Sequence, residues 1–123
     1  MTMMKFLHIA LVVLAMLAGA HKISSIEVKG GWVNLYDENG KKYQSINANT
    51  VGEIQGYSST FFVSKSGGWI HLYDAEGKKY KDINANTIGD VLSVTGDTFT
   101  SHNGSWIITW DKDGKKVSSR AAR

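Results

Sequence analysis

From residue 30 onward the chain repeats itself every 37 residues, and this period constrains its fold more than any other feature. Trp32, Trp69 and Trp106 recur at that spacing, followed by Tyr36, Tyr73 and Trp110 and then by Asp37, Asp74 and Asp111. Residues 30–66 and 67–103 align without a gap and are identical at 18 of 37 positions by direct count, 16 of them within the first 23. Residues 104–123 supply the opening part of a third copy. Residues 23–29 hold the phase of a copy's end, so they read as a closing strand whose beginning is absent, and the whole amounts to about 2.5 to 3 copies. A unit of this length cannot bury its own apolar face, so copies must pack on one another as an array.

Inside a copy the periodicity is that of strands. Trp32-Val33-Asn34-Leu35-Tyr36 alternates aromatic or polar residues with aliphatic ones, a period of two. Asp37-Glu38-Asn39-Gly40 then reads as a tight turn, with Asp accepting backbone N–H groups and Gly supplying positive φ; Asp74–Gly77 and Asp111–Gly114 repeat it. Further strands are expected at Lys42–Ile46, Val51–Tyr57 and Thr60–Lys65, and no helix is expected after the N-terminal apolar segment. The fold class is therefore all-β: tandem four-stranded antiparallel repeats, eleven strands in total. Three arrangements satisfy this pattern: a closed propeller-like ring, including one completed by homo-oligomerisation; a trefoil-like barrel; or a continuous β-meander. Closure would pair two exposed edges through the terminal half-copies.

Trp, a short strand and Asp-x-x-Gly-Lys occur together at Trp32–Lys41, Trp69–Lys78 and Trp106–Lys115. This arrangement resembles the WG-type repeats of bacterial proteins over about ten residues of each copy. It departs from them in lacking a Gly after the Trp and in the number of positions between Trp and Asp. The resemblance implies an interaction scaffold and leaves the ligand open.

Residues 1–20 have the layout of a secretory signal peptide: Lys5, an apolar run from Phe6 to Leu17, then Ala18, Gly19 and Ala20. The run is shorter than the roughly 20 residues that span a bilayer. The expectation is a cleaved signal, a single β-repeat domain over residues 21–123 with no membrane span, and a secreted or periplasmic location. The chain has no Cys, so its core and sheets must supply stability without disulfides. Its 14 basic and 11 acidic residues are interspersed with no basic block, which argues against nucleic acid as a partner.

The candidate ligand-binding residues lie on one side of the repeated first strand: Trp32, Asn34 and Tyr36; Trp69, His71 and Tyr73; Trp106 and Trp110. Facing outward, they would offer flat π surfaces on which sugar rings stack, beside amide and imidazole hydrogen-bonding groups. The competing reading makes the same aromatics the core or the packing between copies. The expected function is an exported, non-catalytic binding module whose partner is a glycan or a protein on the cell surface or outside the cell. A structural or protein-interaction module would instead use the divergent segments Gln55–Ser66 and Leu92–Asn103. No catalytic residues, metal ligands or cofactor are assigned. His21, His71 and His102 do not cluster, no nucleophile elbow is present, and the Asp-x-x-Gly turns lack the six to eight oxygens of a calcium site. The Asn-Ala-Asn-Thr segments at 47–50 and 84–87 read as structured corners, with a ligand-lining loop as the alternative.

Overall fold

The computed structural model describes residues 20–122, which form eleven strands in three antiparallel sheets. The expected export segment lies outside the described residues apart from Ala20. The first sheet holds β1 (Ser25–Lys29), β2 (Trp32–Tyr36) and β3 (Lys42–Asn47). The second holds β4 (Glu53–Tyr57), β5 (Phe61–Ser66), β6 (Trp69–Asp74) and β7 (Lys79–Asn84). The third holds β8 (Asp90–Thr95), β9 (Thr98–Asn103), β10 (Trp106–Asp111) and β11 (Lys116–Ala121). In each, consecutive strands are neighbours.

Sheet boundaries do not coincide with the boundaries of the sequence copies. Each four-stranded sheet combines the last two strands of one copy with the first two of the next. The terminal strands β1 and β11 consequently lie in different sheets and do not complete a shared one, and no closed barrel forms among the described residues.

The chain changes sheets at two corners that the sequence pattern assigned to coil and strand but that are single helical turns, α1 (Ala48–Val51) and α2 (Ala85–Ile88). Asn47 and Asn84 are their N-caps, each side-chain oxygen accepting the N–H two residues on at 2.8 Å. Gly52 and Gly89 close them, donating to the carbonyls of Ala48 and Ala85 at φ of +88° and +86°. The capped turn outcompetes strand continuation because it satisfies backbone groups that have no partner beyond the sheet's edge.

The sheets stack face to face. Val33 and Leu35 of the first sheet, with Ile23 and Val51, pack on Phe62, Tyr73 and Ala75 of the second. From the opposite face of the second sheet, Phe61, Val63, Ile70 and Leu72, with Ile88, pack on Phe99, Ile108 and Trp110 of the third. Alternation along β5 and β6 thus buries both faces of the second sheet. Fully burying one such Phe or Leu contributes roughly 1.5–3 kcal/mol, which explains how a cysteine-free chain of this size holds together.

The two interfaces use the same contacts one period apart. Tyr43 donates its hydroxyl to the Ala75 carbonyl at 2.7 Å, and Tyr80 donates to the Lys112 carbonyl. Gln44 Nε2 donates to Glu76 O at 3.0 Å, and Lys81 Nζ to Asp113 O at 2.9 Å. β4 and β8 run close together, with Gly56 lying so near Val94 that an added Cβ would sit 2.8 Å from Val94 Cγ2. At the N-terminal end, Ile23 N–H donates to Ser59 O at 2.9 Å, and the His21 ring stacks on Tyr43 at a centroid distance of 4.1 Å. His21 Nδ1 lies 2.8 Å from Glu76 Oε1, tying this segment to the second sheet.

Both outer faces of the stack are polar where the inner faces are apolar. Ser25 and Glu27 stand on the open face of the first sheet at the positions that Phe62 and Ser64 occupy in the second. Thr98, Thr100, Thr109 and Arg120 stand on the open face of the third at the positions of Phe61, Val63, Leu72 and Ile83. Polar outer faces are how stacked arrays terminate.

Candidate functional site

Trp32, Trp69 and Trp106 are 49%, 50% and 52% exposed, a large aromatic surface left open at the same corner of each sheet. Each indole follows a glycine-containing hairpin and starts the strand after it, paired across to Lys29, Ser66 and Asn103 respectively. Beside Trp32 and Trp69 the helical turns leave the sheet, with Ala48 and Ala85 donating their N–H groups to the carbonyls of Gly31 and Gly68.

The remaining sequence candidates divide by sheet. Tyr36, on the open face of the first sheet, is half-buried and donates its hydroxyl to Glu27 Oε1 at 2.9 Å. That bond to Glu27, with lesser contributions from burial and the carboxylate's charge, raises the Tyr36 pKa above its ordinary value. Tyr73 and Trp110 stand one and two periods on, but here the preceding sheet covers the face. Tyr73 stacks on Phe62 at 4.7 Å and Trp110 lies on Phe99 at 6.3 Å, both rings inside the stack. Asn34 and His71 are also buried. Tyr73, Trp110 and His71 are therefore withdrawn from an outward aromatic face, because the side that is free on the first sheet is an interface on the other two. Asn34 stays on the free side of the first sheet, packed against its neighbours there.

Buried hydroxyls serve the frame. Ser64 Oγ donates to Val51 O at 2.7 Å and Ser101 Oγ donates to Ile88 O at 2.6 Å, each capping the carbonyl at the end of a helical turn. Ser101 Oγ also accepts the Trp110 indole N–H at 2.9 Å. Ser64, His71 and Asp82 are direct cross-strand neighbours on β5, β6 and β7, a Ser-His-Asp row of the kind hydrolases use. His71 Nδ1 donates to Asp82 Oδ1 at 2.5 Å, and Lys79 Nζ is 3.2 Å from Asp82 Oδ2. The hydrogen bond from His71 first, and then the Lys79 ammonium, hold the Asp82 carboxyl below its ordinary range despite a partial opposing effect of burial. Ser64, however, is fully buried under the first sheet and donates its hydroxyl hydrogen bond to Val51 O, so the row offers no accessible nucleophile in this arrangement. Glu53 and Asp90 open the equivalent strands β4 and β8.

The Asp-x-x-Gly segments are hairpin turns held by their own Asp. Asp37 Oδ1 accepts the N–H groups of Asn39 and Lys41 at 2.9 and 3.0 Å, and Asp74 and Asp111 do the same in their sheets. Among the described residues no group of three or more His, Cys, Asp or Glu side chains converges on a common point. No described helix is long and apolar enough to cross a membrane.

A shallow cavity of about 370 Å³ opens on the free face of the first sheet, lined by Lys29, Trp32, Asn34, Lys42 and Ser45. Ser45 donates its hydroxyl to Asn34 Oδ1 at 2.6 Å, which directs the Asn34 amide nitrogen away from Ser45. Trp32 and Asn34 were candidates from the sequence. Lys29, Lys42 and Ser45 were not, although comparison of the copies with one another singles out two of them: Lys29 replaces Ser66 and Asn103, and Ser45 replaces Asp82. No family model matches this chain and no curated protein does.

Proposed function

We propose that the protein is a non-catalytic binding module for glycans, exported to the periplasm or the cell exterior, and that it engages sugar rings through Trp32, Trp69 and Trp106. The observation that carries this reading is the half-exposure of all three indoles in a chain that buries Phe61, Phe62, Tyr73, Phe99 and Trp110 at sheet interfaces. An indole left half in water costs apolar hydration that a buried one does not, and equatorial sugars offer the matching C–H surface. The export layout of residues 1–20 supports a partner met outside the cytoplasm. The frame is read as an open stack of three propeller-like blades ending on polar faces.

The test is a glycan array probed with residues 21–123 and with Trp32→Ala, Trp69→Ala and Trp106→Ala. Binding should fall in each variant by about tenfold or more while the fold persists, as expected for half-exposed stacking residues. Binding unaffected by all three substitutions would remove the glycan reading. A protein-interaction module is the second reading, favoured by exposed Tyr57 and Leu92, on β4 and β8, within or beside the divergent segments. The core role of Phe61–Ser64 confines it to the ends of those segments.

A further inference from the structure

We infer that the open face of the first sheet takes an acidic sugar, a pyranose bearing a carboxylate or sulfate, with the ring on Trp32 and the anion between Lys29 and Lys42. The inference rests on the glycan reading and adds the ligand's charge.

Its basis is what changes between a covered and an uncovered copy of the same surface. On the second sheet the equivalent face lies under the first, and there Lys79 is neutralised by Asp82 at 3.2 Å while Ser66 stands beside Trp69. On the first sheet Ser45 stands in place of Asp82 and Lys29 in place of Ser66. Lys42, the counterpart of Lys79, thereby loses its partner, and a second ammonium is added beside the indole. Among the described residues neither Lys29 nor Lys42 forms an ion pair. The carboxylate that shares the face, Glu27, accepts the Tyr36 hydroxyl and does not line the cavity.

The cavity thus joins an aromatic platform, two uncompensated cations, and an Asn34–Ser45 pair able to bond sugar hydroxyls. A neutral apolar occupant is disfavoured by the ammonium groups. A second copy of the chain is disfavoured because Ser25 and Glu27 replace Phe62 and Ser64, the residues that seat a neighbouring sheet. Charge complementarity selects an anion, and the half-exposed indole selects a ring that carries it.

The experiment is calorimetric titration of residues 21–123 with a galacturonic acid hexamer, a sulfated galactose hexamer and the neutral galactose hexamer. Wild type is compared with Lys29→Gln/Lys42→Gln, Lys29→Arg/Lys42→Arg and Trp32→Ala. At least one acidic hexamer should bind on the order of tenfold more tightly than the neutral one at low salt, with the preference shrinking as ionic strength rises. The Gln pair should abolish the preference, and the Arg pair should keep it. The carboxylate and sulfate arms identify which anion is used. Equal affinity for acidic and neutral hexamers, or a preference unchanged in the Gln pair, overturns the acidic-sugar inference and leaves the glycan reading standing. No binding of any hexamer, together with an array blank for wild type, overturns both. The three side chains, Lys29, Lys42 and Trp32, lie at the surface, so the variants should retain the wild-type melting profile, which circular dichroism verifies.

Discussion

Replacing the two buried serines by alanine should have unequal effects, although Ser64 and Ser101 occupy equivalent positions. Both are fully buried, and each hydroxyl caps a helical-turn carbonyl, that of Val51 or Ile88. Alanine leaves that carbonyl without a partner in a dry interface, a loss of about 1–3 kcal/mol. Ser101 additionally accepts the Trp110 indole N–H at 2.9 Å. Tyr73 stands in the place of Trp110 in the second sheet and stacks on Phe62. Ser101→Ala should therefore strand a second buried group and cost about 1–3 kcal/mol more than Ser64→Ala, for a total of roughly 2–6 kcal/mol. Urea denaturation followed by far-ultraviolet circular dichroism measures both, and the midpoints should shift at unchanged slope. A double-mutant cycle with Trp110→Phe isolates the shared bond: the double variant should be less destabilised than the sum of the singles by about 1 kcal/mol or more. Equal costs at 64 and 101, or an additive cycle, would refute the assignment of the Trp110–Ser101 bond as a stabilising element of the third sheet.

Other expectations follow from the corners, the ionisable groups and the indoles. Gly89→Ala places a Cβ 2.4 Å from the His102 carbonyl oxygen at a φ of +86°, so it should cost more than the ~1 kcal/mol of Gly30→Ala, where φ is +60° but the space is open; thermal melts compare them. The folded-state pKa of Asp82 is depressed, so its contribution is present above the ordinary carboxylate value and is lost as pH falls through the folded one. The stability gap between wild type and Asp82→Asn should therefore close on acidification from pH 6 to 2, and a gap constant over that range would contradict the pairing with His71 and Lys79. Burial, aided by nearby carboxylates, pushes Tyr43 and Tyr80 up to about 12, so the stability they supply is intact below pH 10 and declines as pH rises toward 12. Ultraviolet titration should show late-ionising phenols that Tyr43→Phe and Tyr80→Phe remove one at a time. Acrylamide should quench most of the tryptophan emission, leaving a protected fraction that Trp110→Phe eliminates; complete protection would mean that the three half-exposed indoles are covered in solution.

Much of this architecture was legible in the sequence because it depends on neighbours along the chain. Alternation at Trp32–Tyr36 and its repeats, the Asp-x-x-Gly turns and the count of eleven strands are local properties, set by side-chain direction and by backbone groups reached within a few residues. The corners at Asn47 and Asn84 were recognised as structured, but the turns they cap are helical, since four residues between a cap and a glycine leave no periodicity to read.

Tertiary structure alone decided which side of each strand meets water. Tyr36, Tyr73 and Trp110 share a phase and a chemistry, yet Tyr36 lies at an open end of the stack while Tyr73 and Trp110 lie beneath the preceding sheet. The three tryptophans stay half-exposed at the first position of their strands, and beside Trp32 and Trp69 the chain leaves the sheet in a helical turn. A period of two fixes that successive side chains point to opposite faces; it carries no information about what is stacked on either face. The order of stacking, and with it the uncompensated Lys29 and Lys42 on the first sheet, comes from apolar contacts between residues many positions apart, and those are settled when the sheets pack.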